Sequence, residues 1–539
     1  MKNHYNSPMS KTQKITLFTL LGVGGIYFIL FIFPNLTGAR DANMLSVFEV
    51  DEFAQYPNLL HMLEPGASFY QTIRNFLVYL HYFYGYPFYF FSALAVLPIK
   101  LLSGANWTGL TPTILMVLRQ AINVLPMLLA VGLLVFTRTR FKSLWLSLGL
   151  FCLLLSLPGL VSNNLWWHPD SLAFLFAVLV FFFLEQDALR FGRNFWLAAA
   201  ACGVAFGIKY FGLYFALAIP LYIAWGIAAR KLSWRQAVLK AGLFVLVMAA
   251  AVVVSNPLLL LPQERQALIA NQRLQFQQTT AGIILRDSSP YFQLGQYPAD
   301  FRLHYGEVLF ILLGLGGMLL GLARSKQRRL DVLMLAWLVP MTYTVNFAGT
   351  KRTHYWLPIV LLLVAGLTNY FLPEIWAKPG RGRSLMGWSV IALVALQMIL
   401  FVRSDVSLYQ QGLTREQTSP GIAFYRRFDQ EILSKLPPDS PLLIYRDWHI
   451  YVPGGPHRRV EINWDLANSA YIAGLKPDFI LLEQANVQLF SDPATQAKAA
   501  DPGAMQEMQQ FYTDVLNDQV PGYHLLFKDD FGYALGKNP

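Results

Sequence analysis

Three carboxylates fall within four residues in the stretch Phe48-Glu49-Val50-Asp51-Glu52-Phe53-Ala54-Gln55-Tyr56. A carboxylate so placed can take a proton from a hydroxyl, and a close pair can hold a divalent cation. The same stretch also reads as an ordinary solvated acidic loop, so its meaning depends on its company. A second stretch, Asn163-Asn164-Leu165-Trp166-Trp167-His168-Pro169-Asp170, sets His168 and Asp170 just ahead of an apolar run. The N-terminus of a helix starting there favours a negative group. Asp170 behind Pro169 equally fits a plain first-turn position, and His168 a hydrogen-bonded loop residue. Lys209, in Gly207-Ile208-Lys209-Tyr210-Phe211-Gly212, interrupts an apolar stretch and must either face a cavity or snorkel to the interface. Further cations stand in Lys351-Arg352-Thr353-His354-Tyr355-Trp356 and in the polar segment before it, at Arg265, Arg273, Arg302 and His304. Such cations neutralise a phosphate, or, taken singly, contact anionic lipid.

The elements that must position these groups are membrane helices. Of 539 residues, 55% are hydrophobic and 14% charged, against about 25% charged in soluble domains. The apolar residues come in uninterrupted runs of roughly 18 to 25, the length that crosses ~30 Å of hydrocarbon. The expected fold class is a multi-spanning helical bundle of about 13 spans over residues 1–403, followed by a small soluble α/β domain over 404–539. The stretch 15–33 is too long for a signal peptide and lacks a small-residue cleavage site, so it is expected to be the first span. The net charge of +11 does not point to nucleic acid, because the basic residues cluster in short loops at 138–142, 190–193, 230–235, 324–329 and 378–383. That is the positive-inside pattern. With those loops in the cytoplasm, the acidic loop, 163–170, the long loop 262–305, 349–354 and the soluble domain all emerge on the opposite face. Parity then asks for two crossings between 68 and 103. The preferred solution is a short polar crossing over 68–84 and a return after Gly85-Tyr86-Pro87; the alternative is an interfacial amphipathic helix. Cys152 and Cys202, the two cysteines, lie inside apolar runs as small hydrophobes. In the C-terminal part, a helix over 421–436, strands at 441–445 and 478–483, and a hairpin over 523–535 are expected.

Taken in order, these features resemble the GT-C superfamily of polyprenyl-phosphate-sugar-dependent glycosyltransferases, especially its protein mannosyltransferase and aminoarabinose transferase branch. The residues carrying the resemblance are Asp51-Glu52 after the first span, the aromatic block Tyr84-Gly85-Tyr86-Pro87-Phe88-Tyr89 and Arg119 at the head of a span. They continue with Asp170 on an outside loop, Arg352-Thr353-His354-Tyr355-Trp356-Leu357-Pro358, and Lys476-Pro477-Asp478-Phe479-Ile480 in the soluble domain. One proline stands where the family block has two, and Glu64-Pro65 is the nearest acidic neighbour of that block.

The resemblance implies a multi-pass protein of the plasma (inner) membrane, with an extracytoplasmic site that moves a monosaccharide from a polyprenyl phosphate to a lipid, protein or glycan acceptor. It implies Asp51 as the general base, with Glu52 beside it as a supporting residue or metal ligand, and Asp170 as an orienting carboxylate. Lys209, Arg265, Lys351, Arg352 and His354 become the residues for the donor phosphate, and Tyr56, Glu64, His168 and Tyr355 those for acceptor or sugar. A divalent metal is possible and unassigned, and membrane lipids are the surrounding partner. Two other classes fit part of the pattern: a transporter or flippase of a lipid-linked sugar, which would carry its charges near mid-membrane, and a surface-polysaccharide polymerase or ligase, for which Arg265 and Arg273 speak.

Overall fold

The computed structural model describes residues 8–287, 289–324, 327–372, 381–437 and 439–539. The expected basic loops at 324–329 and 378–383 therefore lie partly outside the described residues. Among the described residues, eight helices have the length and composition to cross a bilayer; a ninth arises if the pair Ala299–Tyr305 and Val308–Ala323, bent by 61°, counts as one. The expected figure of about thirteen is larger. Some of the difference lies in borderline helices: Asp170–Asp187 carries three acids in 18 residues, Arg193–Lys209 has 17 residues and Leu144–Leu155 has 12.

The first span, α1, runs over Lys11–Asn35 and starts in a reciprocal capping box between Ser10 and Gln13, which satisfies two of the free backbone donors of its first turn. The chain then turns through two short helices, α2 (Ala42–Phe48) and α3 (Val50–Leu63), the second opening on Asp51 and Glu52.

The crossing expected over 68–84 is not formed. In its place stands α4, Phe69–Leu77, nine residues long, which is about 14 Å of helix and under half the hydrocarbon thickness. Its polarity is inverted relative to a helix on a soluble protein: Phe69 and Tyr70 are 83% and 73% exposed, while its polar side bonds inward. Arg74 pairs with Glu264 at 2.8 Å, and Gln71 donates to Asn75 at 2.8 Å. A helix with apolar residues outward and polar ones tied to protein is suited to lie in the membrane interface, which is the alternative reading of this segment. α5 (Tyr86–Ser103) follows, and Lys100 near its end donates to the backbone carbonyl of Leu63 at the end of α3.

The next helical rod, Thr111–Thr139, is the structural axis of the site. A π-helical turn at Arg119–Val124 interrupts it, and such turns re-aim side chains that a regular α-helix would space differently. Arg119 sits near one end of the rod and Arg138 near the other; both are fully buried in ion pairs, with Glu52 and Asp331 respectively.

One helix, Arg381–Thr418, runs through residue 403 and delivers the chain to the helix Pro420–Glu431, which is capped by Ser419 and opens the C-terminal unit. That unit holds a five-stranded sheet in the order β2-β1-β3-β5-β4, with β1 Leu442–Arg446, β2 Arg458–Glu461, β3 Phe479–Glu483, β4 Tyr523–Lys528 and β5 Gly532–Lys537. β1 pairs in parallel with β2 and β3; β5 runs antiparallel to β3 and β4. The expected strands and hairpin are all present. The unit docks on α2 through Arg446, whose guanidinium donates to the Ser46 hydroxyl at 2.8 Å and the Asn43 carbonyl at 2.9 Å. The sheet therefore stands directly beside the acidic loop.

Candidate active site

α3 divides its two adjacent acids between two environments. Glu52 points inward, fully buried, with Arg119 gripping it twice, Nε to Oε1 at 2.8 Å and Nη2 to Oε2 at 2.5 Å. The same guanidinium donates to the carbonyls of Asn35 and Thr37, each at 2.9 Å, at the end of α1. Glu52 Oε1 also accepts the backbone N–H of Trp167 at 2.6 Å. Glu52 is thus a fastener between three segments, and its oxygens are already occupied. Asp51, one residue earlier, keeps a side chain that is 49% exposed. Glu49, before it, is pushed up to about 8 by burial and then by the charges of Glu52 and Asp51, so at neutral pH it carries a proton much of the time.

From Asp51 a string of polar groups leads inward. The Tyr84 hydroxyl lies 3.4 Å from Asp51 Oδ2 and 2.9 Å from His168 Nε2, and that nitrogen is 3.9 Å from the same Asp51 oxygen. His168 Nδ1 faces Asp170 Oδ2 at 3.1 Å, and Asp170 Oδ1 receives the Lys209 ammonium at 2.5 Å. Lys209 also lies over the rings of Tyr355, at 5.0 Å, and Tyr84, at 5.9 Å. Burial lowers the basicity of His168 more than Asp170 raises it, so a neutral imidazole connects the buried ion pair to the half-exposed acid. The phenol of Tyr84 stays protonated, held far above its ordinary value by burial.

Backbone anchors fix this string. The His168 N–H donates to Asn123 Oδ1 at 3.0 Å, from the π turn, and Asn123 Nδ2 donates to the Asn163 carbonyl at 3.1 Å. Tyr84 is held by a close backbone crossing: Gly85 N–H donates to the Ile208 carbonyl at 3.1 Å, and a Cβ on Gly85 would meet the Gly207 carbonyl oxygen at 1.4 Å. Only glycine allows the Tyr84 loop to lie against the end of the Lys209 helix in this way.

His354 closes the inner wall, its ring 5.5 Å from His168 and 5.2 Å from Trp166, which stacks on His168 at 4.1 Å. His168, Asp170 and His354 offer ligand atoms within 4.8 Å of one another, and one carboxylate with two imidazoles is a donor set that suits zinc or a similar ion. Lys209 already occupies one oxygen of that carboxylate, however, and an ammonium at 2.5 Å competes with a cation for the same charge.

Of the site residues expected from sequence, Asp51, His168, Asp170, Lys209, His354 and Tyr355 come together. Glu52 stands beside them but is committed to Arg119. Tyr56 is buried, with its hydroxyl 3.3 Å from Thr111. Glu64 lies at the far end of α3, 3.4 Å from His61. Arg265 is on the exposed helix Pro262–Ala281 and reaches only the Leu259 carbonyl, at 3.4 Å. Lys351 turns back to the carbonyls of Asn346 and Ala348, and Arg352 is exposed. Sequence reading passed over Asn123 and His81 altogether. His81 had a signal, a histidine inside the aromatic run Tyr79 to Tyr84; Asn123 had none, since nothing marks a π turn.

No protein-family model matches the chain, and no curated protein does. Among solved structures, ArnT from Cupriavidus metallidurans, bound to undecaprenyl phosphate, is similar over 98% of this chain and 100% of its own, at 13% identity and a TM-score of 0.52. An Archaeoglobus fulgidus oligosaccharyltransferase, tethered with an acceptor peptide, covers 96% of this chain and 74% of its own, at 14% identity and a TM-score of 0.48. The chain has the fold of the GT-C glycosyltransferases, a multi-spanning helical bundle with a C-terminal soluble unit.

Proposed function

We propose that the protein is a membrane glycosyltransferase that moves a monosaccharide from a polyprenyl phosphate to an acceptor hydroxyl on the extracytoplasmic face of the plasma membrane. The observation that carries this reading is Asp51: a half-exposed carboxylate at the mouth of an otherwise buried string that ends in Lys209. The undecaprenyl phosphate bound to ArnT supports a lipid phosphate as the donor's leaving group.

In the proposed step Asp51 takes the proton of the acceptor hydroxyl, and the acceptor oxygen attacks the anomeric carbon from the side opposite the phosphate. The bond between that carbon and the phosphate oxygen breaks with its electron pair going to the phosphate, so configuration inverts and the phosphate gains one negative charge. That leaving group needs cationic stabilisation more than a proton. Lys209 is the best placed cation, with His354 and Tyr355 along the same wall and Arg352 and Lys351 nearby in sequence. Asp170 holds Lys209 and, through His168, orients the Tyr84 hydroxyl toward Asp51. The acceptor, a lipid, protein or glycan, reaches the site beside the soluble unit that Arg446 docks on α2.

The test is sugar transfer by purified Asp51→Asn from synthetic polyprenyl-phosphate sugars. Losing a general base costs about 10²- to 10⁴-fold, with the protein still folded. Full activity in the variant would remove Asp51 from this role.

A further inference from the structure

We propose that His81 is a further substrate-binding residue, held by Tyr89 in the tautomer that offers an N–H to a hydroxyl of the donor's sugar. This rests on the reading that a lipid-linked sugar is the donor. His81 lies in the loop between α4 and α5, half-buried, with its ring 5.9 Å from that of Tyr84, whose hydroxyl is 3.4 Å from Asp51. A second imidazole thus flanks the open acid, on the side away from Asp170.

The tautomer follows from satisfying a buried phenol. Tyr89 is fully buried, and among the described residues its hydroxyl has one partner, His81 Nδ1, at 2.6 Å. A buried O–H must donate, and Nδ1 is the acceptor within reach, so Nδ1 carries no proton and Nε2 carries one. Burial brings the ring down to about 4, although the charge of Asp51 opposes it, so the imidazole is neutral at working pH. Among the described residues nothing accepts from Nε2.

The chemistry this suits is narrow. A neutral N–H beside a carboxylate adds no charge for a phosphate to seek, and the cations of the site lie on the opposite wall with Lys209. A neutral donor fits a neutral oxygen, and the sugar presented to Asp51 is rich in hydroxyls. Tyr79, stacked on Tyr89 at 4.7 Å, backs the phenol so that it has one place to point.

The experiment compares binding of two probes to the full-length protein: short-chain polyprenyl phosphates bearing hexoses or pentoses, and the same polyprenyl phosphate without sugar. His81→Ala is expected to weaken the best-bound sugar lipid by about 3- to 10-fold, the worth of one neutral hydrogen bond, and to leave the bare lipid phosphate unchanged. His81→Gln, whose amide N–H can reach a similar point, should restore most of the loss, and Tyr89→Phe, which frees the tautomer, should fall between. Equal loss for both lipids, an unchanged sugar lipid in His81→Ala, or His81→Gln no better than His81→Ala would each overturn the assignment. If the wild-type protein prefers the sugar lipid no more than the bare one, the donor reading fails as well, which separates the two ideas.

Discussion

The rod Thr111–Thr139 ends in two ion pairs of the same chemistry and opposite use. Arg119–Glu52 and Arg138–Asp331 are both fully buried, and each acid binds a further partner. Glu52 accepts from the Trp167 backbone, which leads within one residue to His168. Asp331 accepts from Asn369 Nδ2 at 3.2 Å, and that amide donates onward to the Gly317 carbonyl at 3.0 Å. One pair is wired to the polar string, the other to packed helices. A buried ion pair alone therefore says little about function; its third partner says more.

Glu52→Gln should break this comparison most visibly. It leaves Arg119 charged and buried, a loss of about 3–5 kcal/mol, and it loosens the Trp167 loop, where misplacement near 1 Å costs about 10²-fold in rate. Thermal unfolding and turnover per folded molecule should both fall. Asp331→Asn should lower stability by a similar ~3–5 kcal/mol while turnover per folded molecule holds; a fall in that turnover would show the two ends to be coupled. Replacing each pair by apolar residues sharpens the contrast. Arg138→Met with Asp331→Leu should recover most of the lost stability and remain active, whereas Arg119→Met with Glu52→Leu should regain the fold without activity, because the Trp167 N–H has lost its acceptor. The smallest expected effect is that of a chelator: with Lys209 on Asp170, transfer measured in excess EDTA should equal that without it, and a loss restored by added zinc would show that a metal displaces the ammonium.

Much of this site could be read from the sequence because ionisable residues are costly in an apolar chain. Asp51, Asp170 and Lys209 stand out for that reason, and they meet. The division of labour between Asp51 and Glu52 could not be read, since adjacent helical residues point about 100° apart and only Arg119, 67 positions away, decides which one is buried. Arg265 and Glu64 were chosen for charge alone, and both sit on helices that carry their charges elsewhere. The segment 68–84 was misread because counting crossings asked for a span, while its own pattern, polar on one side and aromatic on the other over nine residues, fits an interfacial helix. In the soluble unit the β-strands were legible from short apolar runs. Its docking through Arg446 was not, because that contact joins residues 400 positions apart.

The π turn at Arg119–Val124 also acts as a phase setter. A π turn holds one residue more than the α-helical repeat, so removing any one residue there would leave a sound helix. It would also rotate everything beyond it by about 100°, and Arg138 would swing away from Asp331 whenever Arg119 met Glu52. The two faces of the bundle are in register through that single added residue, so an otherwise permissive apolar helix should tolerate substitutions in this stretch far better than a change in length.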